Sequence, residues 1–307
     1  MLKETLAHSY PEKFDKSSNT RLDTCFSRGR GWNCMYRFSI HYLILALFLS
    51  LTACSNAVQE FQLYSTAFDL QNETAQKVLD KVANAERAHW TVLNNGNDPL
   101  RKFKPNDAAY YVVVGDPPLT ASMRKTLAAA KAYNQALTGL ANGESVDALM
   151  SKTTQIVSDL SAAQSDLQSA AGFADIVTIP SVVPGYLGTA KQIFSAALKG
   201  AARESFRANL LKAFPTIKKI LVTYRDGTPE LYYFVISSPK AVSNQQMLKD
   251  RELFASWVLL LDQTIEAMEV AVKAAMNQAS RADIDALANH AIELRILAEK
   301  VKTEQNR

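Results

Sequence analysis

Cysteine is scarce in this chain of 307 residues: Cys25, Cys34 and Cys54 are the three present, and none follows position 54. The long remainder therefore has neither a disulfide nor a thiolate metal site, and its stability must come from packing. Histidine is almost as rare, with only His89 and His290 beyond residue 54. A glycine-rich phosphate loop is missing as well. Gly185, Gly188 and Lys191 cluster, but without the Gly-Lys-Ser/Thr that cradles phosphate at a helix N-terminus, and their glycines suit a turn or close packing instead. Excess charge is also absent. Seven Lys or Arg and four acids precede Cys54, leaving 27 basic and 26 acidic residues after the leader. Such a balance provides no basic stripe for nucleic acid, so no nucleic-acid partner is expected. Internal repeats and low-complexity blocks are lacking too.

What is present begins with one apolar run, 38–53 (FSIHYLILALFLSLTA), preceded by Arg30 and Arg37 and ending in small residues before Cys54. This is the three-part layout of a signal peptide. Its 16 residues are fewer than the roughly 20 that cross hydrocarbon as a helix, and polar Ser55, Asn56 and Gln59 follow at once. Leu51-Thr52-Ala53-Cys54 resembles the lipobox of bacterial lipoprotein precursors, in which the thiol accepts a diacylglyceryl group before cleavage. The resemblance covers the leader only. It implies lipidation of Cys54, a membrane held through two or three acyl chains, which together anchor stably, and, with Ser55 rather than Asp after the cysteine, outer-membrane sorting toward the periplasm. Residues 1–34 are long and mixed in charge for an n-region, whereas Met35-Tyr36-Arg37 would open a leader of ordinary proportions. The expected organisation is 1–34 as an over-long or unusual N-terminus, 35–53 as signal peptide, 54–59 as lipidated cysteine and tether, and 60–307 as the folded domain.

That domain reads as mainly α, with long amphipathic helices in an up-down bundle. Between Val58 and Leu93, apolar side chains recur in steps of three and four through Phe61, Tyr64, Phe68, Val78 and Val82. Leu119 to Ala141 forms a second helix, with Gly143 placed to cap its C-terminus. Glu144 to Ala171 is the most regular and pairs with the second as an antiparallel hairpin. A fourth opens at Pro184 and ends or kinks at Pro215. The fifth runs from about Asn244 to Gln278. A sixth starts at Ser280, whose spacing to Asp283 resembles a capping box.

Two places depart from this pattern. Ala109 to Val114 (AYYVVV) is aromatic and β-branched and reads as a strand. Ile220 to Tyr224 and Leu231 to Ile236, separated by Arg225-Asp226-Gly227-Thr228-Pro229, read either as a hairpin or as a continuation of the fourth helix. A small antiparallel sheet or hairpin on the bundle is therefore an open addition to the fold.

Candidate chemistry is sparse. Glu86 and His89 make an E-x-x-H pair of the kind that di-iron bundles use, but no second pair accompanies it: His290 and Glu293 stand in reverse order, and Glu266 and Glu269 add only oxygens. The plainer reading puts His89 at the core edge beside Trp90 and His290 in solvent. Ser122 and Lys125 match S-x-x-K without the companion motifs of penicillin-recognising enzymes, and a solvated helix start explains them. The uncharged stretch 176–190 suggests a membrane tongue, as in helical pore-forming toxins, or a loop plugging the bundle's end. No catalytic residue, metal or cofactor is expected. The leading expectation is a non-catalytic, lipid-anchored envelope protein that binds or scaffolds an envelope protein partner. A pore-forming or membrane-remodelling protein and a bundle-core metal protein are the alternatives. Tyr110, Tyr232 and Tyr233 are the recognition candidates, since aromatic side chains on strand edges suit interfaces, although packing between sheet and helices would use at least half of them.

Overall fold

A computed structural model describes residues 32–170, 172, 179–198, 202–239, 243–276 and 279–305, with side chains from Val58 onward except 179–182 and 305. The expectations for 1–31, for the leader's side chains and for the Cys54 thiol lie outside the described residues. Two compact units divide between Ser50 and Leu51, three residues before Cys54. The second, Leu51–Arg307, carries the core.

Among the described residues every regular element is helical: α1 (Trp32–Leu93), α2 (Ala108–Tyr111), α3 (Pro118–Ala141), α4 (Val146–Ser169), α5 (Ile179–Ala197), α6 (Arg203–Asp226), α7 (Thr228–Ile236), α8 (Asn244–Ala274) and α9 (Arg281–Gln305). A 3-10 turn at Pro105–Asp107 precedes α2. Chain neighbours pack on each other, α3 on α4, α4 on α5, α5 on α6 and α8 on α9, while α6 and α7 also lie on α8. Connections this short force antiparallel neighbours, which is the up-down bundle.

Local chemistry explains the helix ends. Ser145 and Ser243 accept the backbone N–H of Ala148 and Gln246 and so start α4 and α8. Ser280 and Asp283 form the capping box: the Ser280 N–H donates to Asp283 at 2.8 Å and the Asp283 N–H to the Ser280 hydroxyl at 3.2 Å. Gly143 follows α3 with φ +75°, a conformation costly for other residues, and lets the chain reverse into α4. Arg203, at the head of α6, donates to the carbonyls of Leu140 and Glu144 at the same reversal.

Helix α1 lays one face on the core and keeps the other, from Gln62 through Glu73 to Asn84, in water. Phe61, Tyr64, Phe68, Val78, Leu79 and Val82 are buried. Polar bonds tie it to several neighbours: the Tyr64 hydroxyl donates to Asn134 of α3 at 2.7 Å, Lys81 pairs with buried Asp250 of α8 at 3.0 Å, and Lys302 of α9 reaches Glu73.

The possible sheet is not formed among the described residues. Ile217, Ile220, Leu221 and Tyr224 continue the buried stripe of α6 past Pro215, and Leu231, Phe234 and Val235 form that of α7. Helical spacing against the core outweighs the β propensity of the individual side chains. The expected fourth helix is two helices, α5 and α6, packed on each other; Pro215 stays inside α6, and α5 begins at Ile179, five residues before Pro184, rather than at it. Ala108–Tyr111 is one helical turn, after which Val112 is extended (φ −127°, ψ 153°) without a partner strand among the described residues. Val183, Leu187, Ala190 and Phe194 are fully buried, so the described part of 176–190 is core helix rather than loop or tongue.

Candidate functional site

The connection between α1 and α3, 94–117, is where the surface departs from an ordinary soluble bundle. Leu100, Val113 and Val114 are 92%, 82% and 96% exposed, and Val92, Leu93, Phe103, Tyr111 and Val112 are exposed beside them in sequence. Scattered single apolar side chains on a surface need no explanation, but a run of them at one end of a bundle does.

These residues are held in place. Arg87, one turn and a half before the end of α1, donates to the backbone carbonyls of Ala109 (3.1 Å), Val113 (3.4 Å) and Gly115. The guanidinium thus supplies the donors that a partner strand would offer to this extended segment. Trp90 stacks on Tyr110 with ring centroids 4.6 Å apart and meets the edge of Tyr111 at 5.1 Å, while Phe103 lies 5.9 Å from Tyr111. Arg101 lies over the indole at 4.9 Å, donates to the Asn94 carbonyl and pairs with Asp107 at 3.3 Å.

Below the tip sits Glu86, fully buried. Its carboxylate accepts the N–H groups of Leu119 and Thr120 and the Thr120 hydroxyl, each at 2.9 Å. Pro117 precedes α3 and has no capping side chain, so a glutamate from α1 caps this helix from outside and favours its positive end. Burial pushes the Glu86 carboxyl up to about 7, against these hydrogen bonds and Arg87, which favour its charged form. The Tyr110 phenol is raised as well, first by burial and then by the Glu86 charge. Arg124 completes the fastening, pairing with Asp116 at 2.7 Å and with Asp80 of α1.

The residues singled out from sequence fall elsewhere or have other partners. His89 is half-buried, as expected at the core edge; its Nε2 donates to the Phe234 carbonyl at 2.9 Å and its ring stacks on Phe234 at 4.5 Å. Glu86 turns instead to α3, so the E-x-x-H pair is divided between two neighbours. No group of three or more His, Cys, Asp and Glu able to hold a metal occurs among the described residues. Ser122 is buried, not solvated: its hydroxyl donates to the Ala163 carbonyl at 2.8 Å, a packing role between α3 and α4, and Lys125 stands 4.0 Å from Asp159. His290 is half-buried against Gln263 and Glu293 rather than free in solvent, and Glu269 pairs with Lys218.

None of the three recognition tyrosines is on a strand edge, because the segments are helical. Tyr110 is stacked under the tip. Tyr232 packs on Phe254 and its hydroxyl donates to the Met247 carbonyl at 3.2 Å. Tyr233 alone is open, at 65%, on the helix whose Phe234 meets His89 near the end of α1.

A groove of about 640 Å³ runs between α1, α8 and α9, lined by Lys77, Lys81, Asp250 and Glu252 among others. Asp250 is already engaged there by Lys81 and Gln246, so the floor is an internally compensated ion pair. No described helix is long and apolar enough to cross a membrane.

Periodicity could not reveal the tip, since Leu100, Phe103, Val113 and Val114 obey no helical or strand repeat. The available signal was an apolar–cationic alternation, Leu100-Arg101-Lys102-Phe103-Lys104, inside a loop. Comparison of the chain with protein-family models, curated proteins and solved structures returned no match.

Proposed function

We propose that this chain is the precursor of a lipid-anchored envelope lipoprotein, cut before Cys54 and acylated there, whose non-catalytic helical domain binds or scaffolds another envelope component through the tip at 94–117. The lipobox-like Leu51-Thr52-Ala53-Cys54 carries the anchor half of this reading. Support for the binding half comes from the apolar tip, held by Arg87 and Trp90 at the far end of α1. From Cys54 to Leu93 the helix is continuous, roughly 60 Å at a rise of about 1.5 Å per residue. Anchor and tip thus stand at opposite ends of one rod. Two acyl chains or more hold a protein stably, whereas one holds it only marginally.

The test is made in cells. Wild-type protein should incorporate radiolabelled palmitate, shorten by the length of its leader and remain with membranes through a high-salt wash. Cys54→Ser should incorporate none and accumulate uncut. Normal processing of Cys54→Ser, with membrane retention after the wash, would overturn the reading.

A further inference from the structure

The tip has a definite chemical character, and it points to one kind of surface. Its apolar side chains stand far out into water, with Leu100 and Val114 more than nine-tenths exposed. Its backbone is braced from below by Arg87 and Arg101, so the exposure belongs to the fold. Lys102 and Lys104 are exposed between and beside Leu100 and Phe103, and neither has an acid within ion-pair distance among the described residues. Of the nearby acids, Asp107 pairs with Arg101 and Asp116 shares Arg124 with Asp80, while Asp98 accepts the N–H of Leu100 and keeps its charge. The segment 94–117 holds three cations and three acids, but beside its apolar side chains the two lysines without an acid partner outnumber Asp98, the one acid there that no cation meets among the described residues.

We infer that the tip docks on an anionic lipid bilayer, with Leu100, Phe103, Val113 and Val114 entering the headgroup–acyl boundary while Lys102 and Lys104 stay at phosphate level. This deepens the proposed function by naming the envelope component, and it rests on that reading only for the choice of the tip as the binding surface. A protein groove receiving Leu100 and Phe103 would also have to bury Lys102 between them and find it a carboxylate partner. At a bilayer, the lysine stem covers apolar surface while its ammonium reaches the headgroups. Tip-to-tip association of two copies is opposed by the lysines, which would face each other. Each cation near an anionic leaflet strengthens binding several-fold, and the gain falls as salt screens it.

The experiment uses the folded unit without its lipid, residues 54–307 with Cys54→Ser, and vesicles of phosphatidylcholine with or without phosphatidylglycerol. Sedimentation with the phosphatidylglycerol vesicles is expected, weakening as salt is raised, with little on pure phosphatidylcholine. Lys102→Gln with Lys104→Gln should weaken binding about thirtyfold. Val113→Ser with Val114→Ser should weaken it at least tenfold, with circular dichroism and melting unchanged because all four positions are exposed. In Phe103→Trp, indole emission should shift to the blue on vesicle addition and be quenched by brominated acyl chains. The inference is overturned by absence of sedimentation with the anionic vesicles, by binding that the paired variants leave intact, or by equal binding to both compositions. Self-association that the valine variants abolish would assign the tip to a second copy instead. Palmitate labelling at Cys54 does not enter this assay, so failure of the anchor and failure of the docking surface are read separately.

Discussion

Glu86 is the residue on which the end of the bundle turns. Its carboxylate answers the free N–H groups at the start of α3, and truncation leaves two buried N–H groups and a hydroxyl without that acceptor. Glu86→Ala should therefore cost about 3 kcal/mol in urea unfolding, from lost capping and unsatisfied donors. Its acid–base behaviour has a definite sign. The folded carboxyl, near 7, holds a proton that the unfolded chain releases at about 4.5. Stability from this group is thus complete below about 4.5 and declines as pH rises through 7, by up to about 3 kcal/mol. The melting temperature of the wild type should drop between pH 5 and pH 8, and Glu86→Gln should remove most of that slope while keeping an acceptor for α3. A wild-type melting temperature that climbs over this range would contradict the assignment. Ser122 provides a contrast. Loss of its bond to the Ala163 carbonyl in Ser122→Ala should cost about 1 kcal/mol, and fluorophosphonate probes should label neither protein.

At the scale of elements, the α3–α4 reversal separates two glycines that look alike in sequence. Gly143 has φ +75° and open space where a methyl group would stand, so Gly143→Ala meets only the backbone penalty, about 1 kcal/mol. At Gly139 an added Cβ would lie 2.5 Å from the Glu144 carboxylate and 2.9 Å from the Lys152 ammonium, both ends of mobile side chains. Gly139→Ala should displace that half-buried pair at a cost that the gain in helix propensity largely offsets, leaving the urea midpoint nearly unchanged. The capping box at Ser280, the αL turn at Gly143 and the stripes of α1, α3, α4 and α8 could be read directly, because each depends on contacts within a few residues. The strand reading at 109–114 and the hairpin option at 220–236 are not realised, because short aromatic and β-branched runs suit either class until a neighbour decides. For 220–236 the neighbours are core helices. For 109–114 the decision lies with Arg87, twenty-two residues or more upstream, which takes the carbonyls that a strand would have paired.

For the molecule as a whole, α1 links the tip to the core. Trp90, under the tip, and Trp257, at the centre of α8, belong to one continuous apolar cluster. Thermal unfolding of 54–307 followed by tryptophan fluorescence and by circular dichroism should therefore give coincident transitions. An earlier fluorescence transition would mean that the tip melts on its own. The same linkage shows in the partners of the E-x-x-H and S-x-x-K residues: Glu86, His89 and Ser122 each connect α1 or α3 to another helix.

Short-range patterning in the chain was enough to determine the helical class, the dominant core stripes, the ends of α3 and the starts of α8 and α9, since all of these depend on spacing along one segment. Tertiary structure alone decided that Glu86 caps a helix it does not belong to, that Tyr110 and Tyr232 are packed while Tyr233 is open, and that Leu100, Phe103, Val113 and Val114 are left in water. The physical reason is one of range: a periodic stripe is settled between residues a few positions apart, whereas the exposure of an apolar loop depends on whether a distant part of the chain arrives to cover it.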